Sequence, residues 1–201
     1  MAKRSVCTLV LLALMFIGCA SILRLNLTYT LPEEKSGIRG PVTVQVRDLR
    51  PSQEIFTEKV KKKTGVFSKD IQLSLAYPGK SSGFLLGIYD VAELFQIAFQ
   101  ERLKAAGLET SGHSEYRLVV ELQEFLVDIL DVSWVEKKWY TRISYQATLF
   151  RGENPVYSKS IRADSEKLRY WKDMGLDELV SDTFSSAVNN FELGEAIRRL
   201  R

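Results

Sequence analysis

Three short stretches decide the fold: residues 116–123 are YRLVVELQ, residues 139–150 are WYTRISYQATLF, and residues 156–164 are VYSKSIRAD. Apolar and polar residues alternate in each stretch, which is typical of a β-strand with one buried face. The turn-forming residues Gly152-Glu153-Asn154-Pro155 connect the last two stretches. Strands joined by short connections pair antiparallel, so the three stretches predict a meander. We expect residues 126–135 to extend its first strand and then form a loop.

One amphipathic helix is expected before this meander in the sequence, and a second is expected after it. Asp90 and Glu93 have the spacing of a capping box, and apolar residues then recur at helical spacing until Gly107. A second helix is expected from about Gly175, because acidic residues suited to a helix N-terminus are followed there by another apolar stripe.

Two further alternating segments, residues 22–31 and 41–46, predict strands near the beginning of the chain. Together with the meander and the helices they predict an α+β domain. Its expected architecture is two amphipathic helices packed on one face of a mainly antiparallel sheet of five or six strands.

Three other segments each leave two interpretations open. The lysine-rich residues 59–63 predict a solvated hairpin or loop, or else a patch that contacts anionic lipid headgroups. The apolar residues 83–87 predict buried core, or else a mobile lip of a groove. Asp48 beside Arg50 predicts a turn in which the carboxylate caps backbone amides and pairs with the guanidinium, or else a ligand site.

The N-terminus has the pattern of a secretory signal. Lys3 and Arg4 precede an apolar run over residues 6–17, which is too short to remain as a membrane-spanning helix. The run ends in Phe16-Ile17-Gly18-Cys19, which resembles the lipobox of bacterial lipoproteins. That resemblance implies cleavage between Gly18 and Cys19, with a diacylglycerol thioether and an added acyl chain such as palmitate on Cys19. An ordinary signal peptide cut after a small residue is the alternative.

On this interpretation residues 1–18 form the signal peptide and residues 19–201 form a single periplasmic domain. Neither cysteine then supplies a thiol, since Cys7 leaves with the signal and Cys19 carries the lipid. The only histidine, His113, lies in a turn-like segment. No catalytic set, metal site or cofactor is therefore expected. Lys3 and Arg4 contribute two positive charges to the net charge of +3 and leave with the signal peptide. The mature chain therefore has little net positive charge, and nucleic acid is not an expected partner.

Aromatic side chains are the candidates for an exposed interaction surface, because indole and phenol rings suit interfaces. The alternative for each is the core of the meander. The five candidates are Trp134, Trp139, Tyr140, Tyr170 and Trp171.

The order of elements resembles the YajG-like family of bacterial lipoproteins. The residues that carry the resemblance are the segment Val44-Gln45-Val46-Arg47-Asp48-Leu49-Arg50 and the helix that ends in Leu103-Lys104-Ala105-Ala106-Gly107. The likeness covers most of residues 19–193. The auxiliary lipoproteins of lipid-transporting ABC systems are similar in element order and are the neighbouring possibility. The resemblance implies an envelope protein attached by its N-terminal lipid and supplies no catalytic residue.

The expected function is that of a non-enzymatic, lipid-anchored envelope protein, held to a membrane through its N-terminal lipid. It would bind a protein partner or a hydrophobic ligand as an accessory of envelope transport or assembly. The alternatives are a lipid- or glycan-binding module acting alone and a carboxylate-dependent envelope hydrolase. Ala20 is not the aspartate that resembles an inner-membrane retention signal. We therefore expect attachment to the outer membrane, facing the periplasm, in a cell with two membranes.

Overall fold

A computed structural model describes residues 23–33, 41–65, 67, 70–77, 83–110, 114–133, 137–168 and 175–199. These residues form seven strands and four helices. The strands are β1 (Leu23–Thr28), β2 (Val42–Asp48), β3 (Ile71–Ala76), β4 (Phe84–Ile88), β5 (Tyr116–Asp131), β6 (Lys137–Arg151) and β7 (Asn154–Leu168). The helices are α1 (Glu58–Thr64), α2 (Val91–Ala105), α3 (Leu176–Asn189) and α4 (Leu193–Arg198).

The strands divide into two sheets, one with the order β2-β5-β6-β7 and the other with the order β1-β3-β4. The α+β class is confirmed, but the prediction of one mainly antiparallel sheet of five or six strands is wrong. Each sheet contains one parallel pair, β2 with β5 and β1 with β3. Parallel pairing needs a long crossover, and the chain between β2 and β5 provides one that contains β3, β4 and α2.

The predicted meander is confirmed. β5, β6 and β7 are 16, 15 and 15 residues long and pair antiparallel in that order. The expected extension of the first strand reaches Asp131. A register shift between Leu122 and Glu124 marks a β-bulge at Gln123, near the point where β2 ends its pairing with β5.

Helices α2 and α3 begin at the predicted positions and connect the two sheets. The Asp90 side chain caps α2 by accepting a hydrogen bond from the Glu93 amide at 2.9 Å, as the capping box predicts. α2 contacts β2, β3 and β4, whereas α3 contacts β1, β6 and β7. A series of edge-to-face aromatic contacts crosses this core, from Tyr29 to Phe184 (5.8 Å), from Phe184 to Phe95 (5.0 Å) and from Phe95 to Tyr145 (5.5 Å).

The lysine-rich segment forms α1, so the prediction of a hairpin or loop is wrong. The Thr57 side chain accepts a hydrogen bond from the Val60 amide at 3.3 Å, and Gly65 ends the helix with φ of +66°. Val60 is buried while the lysines lie around it on the outside. A single buried residue in a short charged helix leaves little periodicity, which is why the apolar pattern did not predict α1.

Candidate interaction surface

The structure supports only part of the predicted aromatic surface. Trp134, Tyr170 and Trp171 lie outside the described residues, as do Gly18 and Cys19. Trp139 is fully buried, so its prediction as a surface residue is wrong. Its ring contacts Phe67 edge-to-face at 6.1 Å, and Phe67 in turn stacks on Phe56 at 4.3 Å. Trp139 faces inward because it shares the alternation of Ile143 and Tyr145 on β6.

Tyr140 points to the other face of β6 and is half-buried. The Arg142 guanidinium lies 5.1 Å from the centre of its ring. This pair covers the outer side of the sheet, so Tyr140 is partly accessible but does not form a continuous aromatic patch with Trp139.

The most apolar exposed surface in the described part of the chain lies elsewhere, on β4. Phe84, Leu85 and Ile88 expose 41%, 59% and 46% of their surface, whereas Leu86 is buried. The expectation that residues 83–87 belong to the core is therefore wrong for most of this strand. Three exposed large apolar residues within five positions exceed what scattered surface hydrophobics explain.

β4 is also an edge of its sheet. It pairs antiparallel with β3, and within the described ranges it has no strand on its other side. The residue after the strand is Tyr89, whose φ of +50° lies in the left-handed region and turns the chain into the Asp90 cap of α2. An edge strand presents unpaired backbone groups, which are a template for another strand.

The opposite edge of the same sheet is closed by α3, along a contact that we call the α3–β1 seam. The Ser181 and Ser185 hydroxyls accept hydrogen bonds from the Thr28 and Thr30 amides at 2.9 Å and 3.2 Å. Asn189 donates to the Thr30 carbonyl at 3.0 Å. Residues four positions apart on a helix are separated by a rise of about 6 Å, which is close to the rise of two residues in a strand. The spacing of Ser181 and Ser185 on α3 therefore matches the spacing of the Thr28 and Thr30 amides.

A second candidate is an open cleft of about 410 Å³ beside the bulge in β5. Arg50 lies in its wall but is already bound, because its side chain donates to both oxygens of Asp48 at 2.8 Å and 2.7 Å. The predicted turn is thereby confirmed. Burial alone would raise the pKa of Asp48, but the hydrogen bonds from Arg50 outweigh burial and hold that pKa below its ordinary value.

The carboxylates of this cleft are also engaged. Glu54 pairs with Lys61, and Glu124 pairs with Arg142 at 3.6 Å. Within the described residues, no three His, Cys, Asp or Glu side chains are arranged to hold a metal ion. No helix in that part of the chain is both long and apolar enough to cross a membrane.

The comparisons with known proteins agree with the predicted family. Residues 85–171 match the model of a family described as uncharacterized lipoproteins. This match is consistent with the predicted resemblance to YajG-like lipoproteins. The matched segment begins within β4 and runs through β7, so it includes the exposed edge strand and the whole meander. No curated protein matches the chain.

Solved structures of bacterial proteins are similar to this chain at low sequence identity. A protein from Xanthomonas campestris is 8% identical with a TM-score of 0.52, over 89% of this chain and 96% of that one. A minor lipoprotein from Acinetobacter baumannii is 8% identical with a TM-score of 0.39, over 80% and 94%. The rare lipoprotein B from Shewanella oneidensis is 14% identical with a TM-score of 0.39, over 55% and 88%. The Xanthomonas structure shows a shared fold. Neither the matched family nor these three proteins is described as an enzyme.

Proposed function

We propose that this chain is a lipid-anchored component of a bacterial cell envelope that binds a protein partner along the free edge of β4. In this proposal Cys19 carries the lipid after cleavage behind Gly18, and the domain faces the periplasm from the outer membrane. The protein acts as an accessory of envelope transport or assembly and catalyses no reaction.

The signal sequence and the family match support the anchored part of the proposal. The apolar run of residues 6–17 ends at Gly18-Cys19, where a lipoprotein would be processed. The family that matches residues 85–171 is described as one of lipoproteins.

The exposed edge of β4 carries the partner-binding part of the proposal. Added strands gain affinity from main-chain hydrogen bonds and specificity from alternate side chains. β4 offers both, since its outer backbone edge lies beside Phe84 and Leu85. The contrast with β1 is informative, because the other edge of the same sheet is closed by three side chains of α3.

Site-specific crosslinking in the native cells tests this proposal. A photoreactive amino acid would replace Leu85 on β4, and the matched control would replace Leu49, which exposes the same 59% of its surface after β2 in the other sheet. We expect a discrete protein adduct from position 85 and none from position 49, because Leu49 lies beyond the end of β2 and α2 contacts that strand, with Gln96 donating to the Val44 carbonyl at 2.9 Å. Mass spectrometry of the adduct identifies the partner.

Two further variants make the result decisive. Leu85→Asp should abolish the adduct formed from a photoreactive residue at Phe84, whereas Leu49→Asp should leave it intact. Cys19→Ala should remove acylation and lower adduct formation by releasing the domain from its membrane. Equal adducts from positions 85 and 49, or no adduct from lipidated protein, would refute partner binding at β4.

A further inference from the structure

We propose that one end of the domain rests directly on the lipid bilayer and that Ile88 and Val132 contact its apolar interior. We call this the anchor end, and it consists of the start of β1, the end of β4, the end of β5 with Val132, and α1. The inference rests on the proposed lipid at Cys19, and it adds a second, non-covalent contact that fixes how the domain stands on the membrane.

The strand register places Leu23 and Ile88 at the same end of the three-stranded sheet. Leu23 pairs with Ile71 in the parallel β1–β3 ladder. The next residue of β3, Gln72, pairs with Ile88 in the antiparallel β3–β4 ladder. The first described residue of the chain and the exposed last residue of β4 therefore lie on either side of β3, roughly 10 Å apart by strand spacing.

The tip of the long meander lies at this same end. α3 runs parallel to β1, because Asn26 contacts Asp177 and Thr28 contacts Ser181 further along both elements. The first turn of α3 pairs with Lys167 through Glu178. On β6 the partner of Lys167 is Trp139. Two residues before Trp139, Lys137 pairs with Asp131, which is the last pair between β5 and β6.

α1 completes the anchor end. Lys63 donates to both oxygens of Asp131 at 2.5 Å and 2.6 Å, and Lys59 lies 3.1 Å from the same carboxylate. Beside them, Lys138 pairs with Glu166 at 2.8 Å. Lys59, Lys63 and Lys138 already have carboxylate partners, which leaves Lys62 as the lysine of α1 available to anionic headgroups. The contact is instead apolar, with Ile88 exposed by 46% and Val132 by 52%.

Chain length identifies the bilayer as the occupant of this surface. Only four residue steps separate Cys19 from Leu23. Whatever path they take, they span at most about 14 Å. A lipid on Cys19 thus holds Leu23 within that distance of the lipidated residue. No second protein of domain size fits between the anchor end and the membrane, whereas the two apolar side chains can reach it.

Spin labelling of the lipidated protein tests this contact. The mature chain has no free thiol once Cys19 is acylated, so Ile88→Cys and Val132→Cys each introduce a single labelling site. Glu153→Cys is the control, since it lies in the β6–β7 turn at the opposite end and its side chain is 94% exposed. The lipidated variants are placed in vesicles of phosphatidylethanolamine and phosphatidylglycerol.

Collisions of each nitroxide with lipid-soluble oxygen and with a water-soluble nickel complex report its depth. We expect the oxygen-to-nickel ratio to be several-fold higher at positions 88 and 132 than at position 153. Equal, water-like ratios at all three positions overturn the inference. Mass spectrometry of the N-terminal peptide is done on the same samples. An unacylated Cys19 refutes the anchor and this contact together, whereas an acylated Cys19 with water-like labels refutes only the contact. A protein adduct at Leu85 from acylated protein whose labels are water-like would support partner binding at β4 while refuting this contact.

Discussion

One buried hydroxyl distinguishes the core of the meander. Thr141 is fully buried on β6, and its Oγ1 has no hydrogen-bond partner in the described part of the chain. Along the same face of β6 its neighbours are Trp139 and Ile143, and on β7 it pairs with Ser165, to which it makes no hydrogen bond. A buried hydroxyl without a partner lowers stability because the folded state does not replace its hydrogen bonds to water.

We therefore predict that Thr141→Val raises the free energy of unfolding by about 1 kcal/mol, since valine has nearly the same shape without the hydroxyl. Urea denaturation of the soluble domain measures this change. The matched control is Thr183→Val in α3, where the hydroxyl donates to the Leu179 carbonyl at 2.8 Å. That variant should be neutral or destabilised. A Thr141→Val domain no more stable than the wild type would contradict the prediction.

At the scale of single elements, the α3–β1 seam shows a helix that takes the place of a neighbouring strand. Ser185 both accepts from the Thr30 amide and donates to the Thr28 carbonyl at 3.3 Å. The serines thereby satisfy backbone groups that a sheet edge would otherwise leave to water or to another chain.

Replacing both serines tests the seam. We predict that Ser181→Ala combined with Ser185→Ala lowers the free energy of unfolding by about 2 kcal/mol, because the Thr28 and Thr30 amides lose the acceptors of two partly buried hydrogen bonds. Hydrogen exchange at the Thr28 and Thr30 amides should accelerate more than exchange in the meander. Ser186→Ala, an exposed serine of the same helix, should change little. Unchanged exchange at both threonines would show that the seam does not hold the edge.

At the scale of the whole molecule, carboxylates with lowered pKa values make the stability of the fold depend on pH in the acidic range. Hydrogen bonds from Lys63 and then Lys59 lower the pKa of Asp131 from 3.8 to about 2. A carboxyl group whose pKa is lower in the folded state contributes stability above its unfolded pKa, and this contribution is lost as pH falls through the folded pKa. Asp131 thus contributes fully above about pH 4 and progressively less towards about pH 2.

We predict that carbon-13 NMR of the Asp131 carboxyl shows a midpoint near pH 2. Lys63→Gln should move that midpoint towards 3.8, because it removes the largest cause of the shift. The stability of Asp131→Asn should consequently fall less steeply than that of the wild type over the same acidic range. Lys62→Gln is the control, as this exposed lysine of α1 has no ion pair among the described residues. A midpoint unchanged by Lys63→Gln would contradict the assignment.

The sequence predicted where most strands and helices lie better than it predicted which strands pair with each other. Alternation located β1, β2 and the meander, and the capping box located α2, because these signals depend on local burial and local hydrogen bonds. Nothing local tells β2 to pair with β5 rather than β1, since that choice depends on a crossover of more than 60 residues. The division into two sheets therefore became visible only in the structure.

The candidate surface was missed for a related reason. Leu85 and Ile88 have the composition of a buried strand, and only the position of β4 at the edge of its sheet exposes them. Trp139 shows the opposite case, because its alternation with Ile143 and Tyr145 already indicated the core, and this was a better guide than its chemical suitability for interfaces. The lipidation site at Cys19 stays a prediction.

The α3–β1 seam also constrains the order in which the domain can fold. Its hydrogen bonds join residues that are separated by 153 to 160 positions in the sequence. The outer edge of β1 is therefore covered only after α3 has been synthesised. Such distant pairings slow folding, because a long loop must close before they form. A nascent chain that has not yet delivered α3 exposes both edges of the β1-β3-β4 sheet, and truncated chains should therefore aggregate through them.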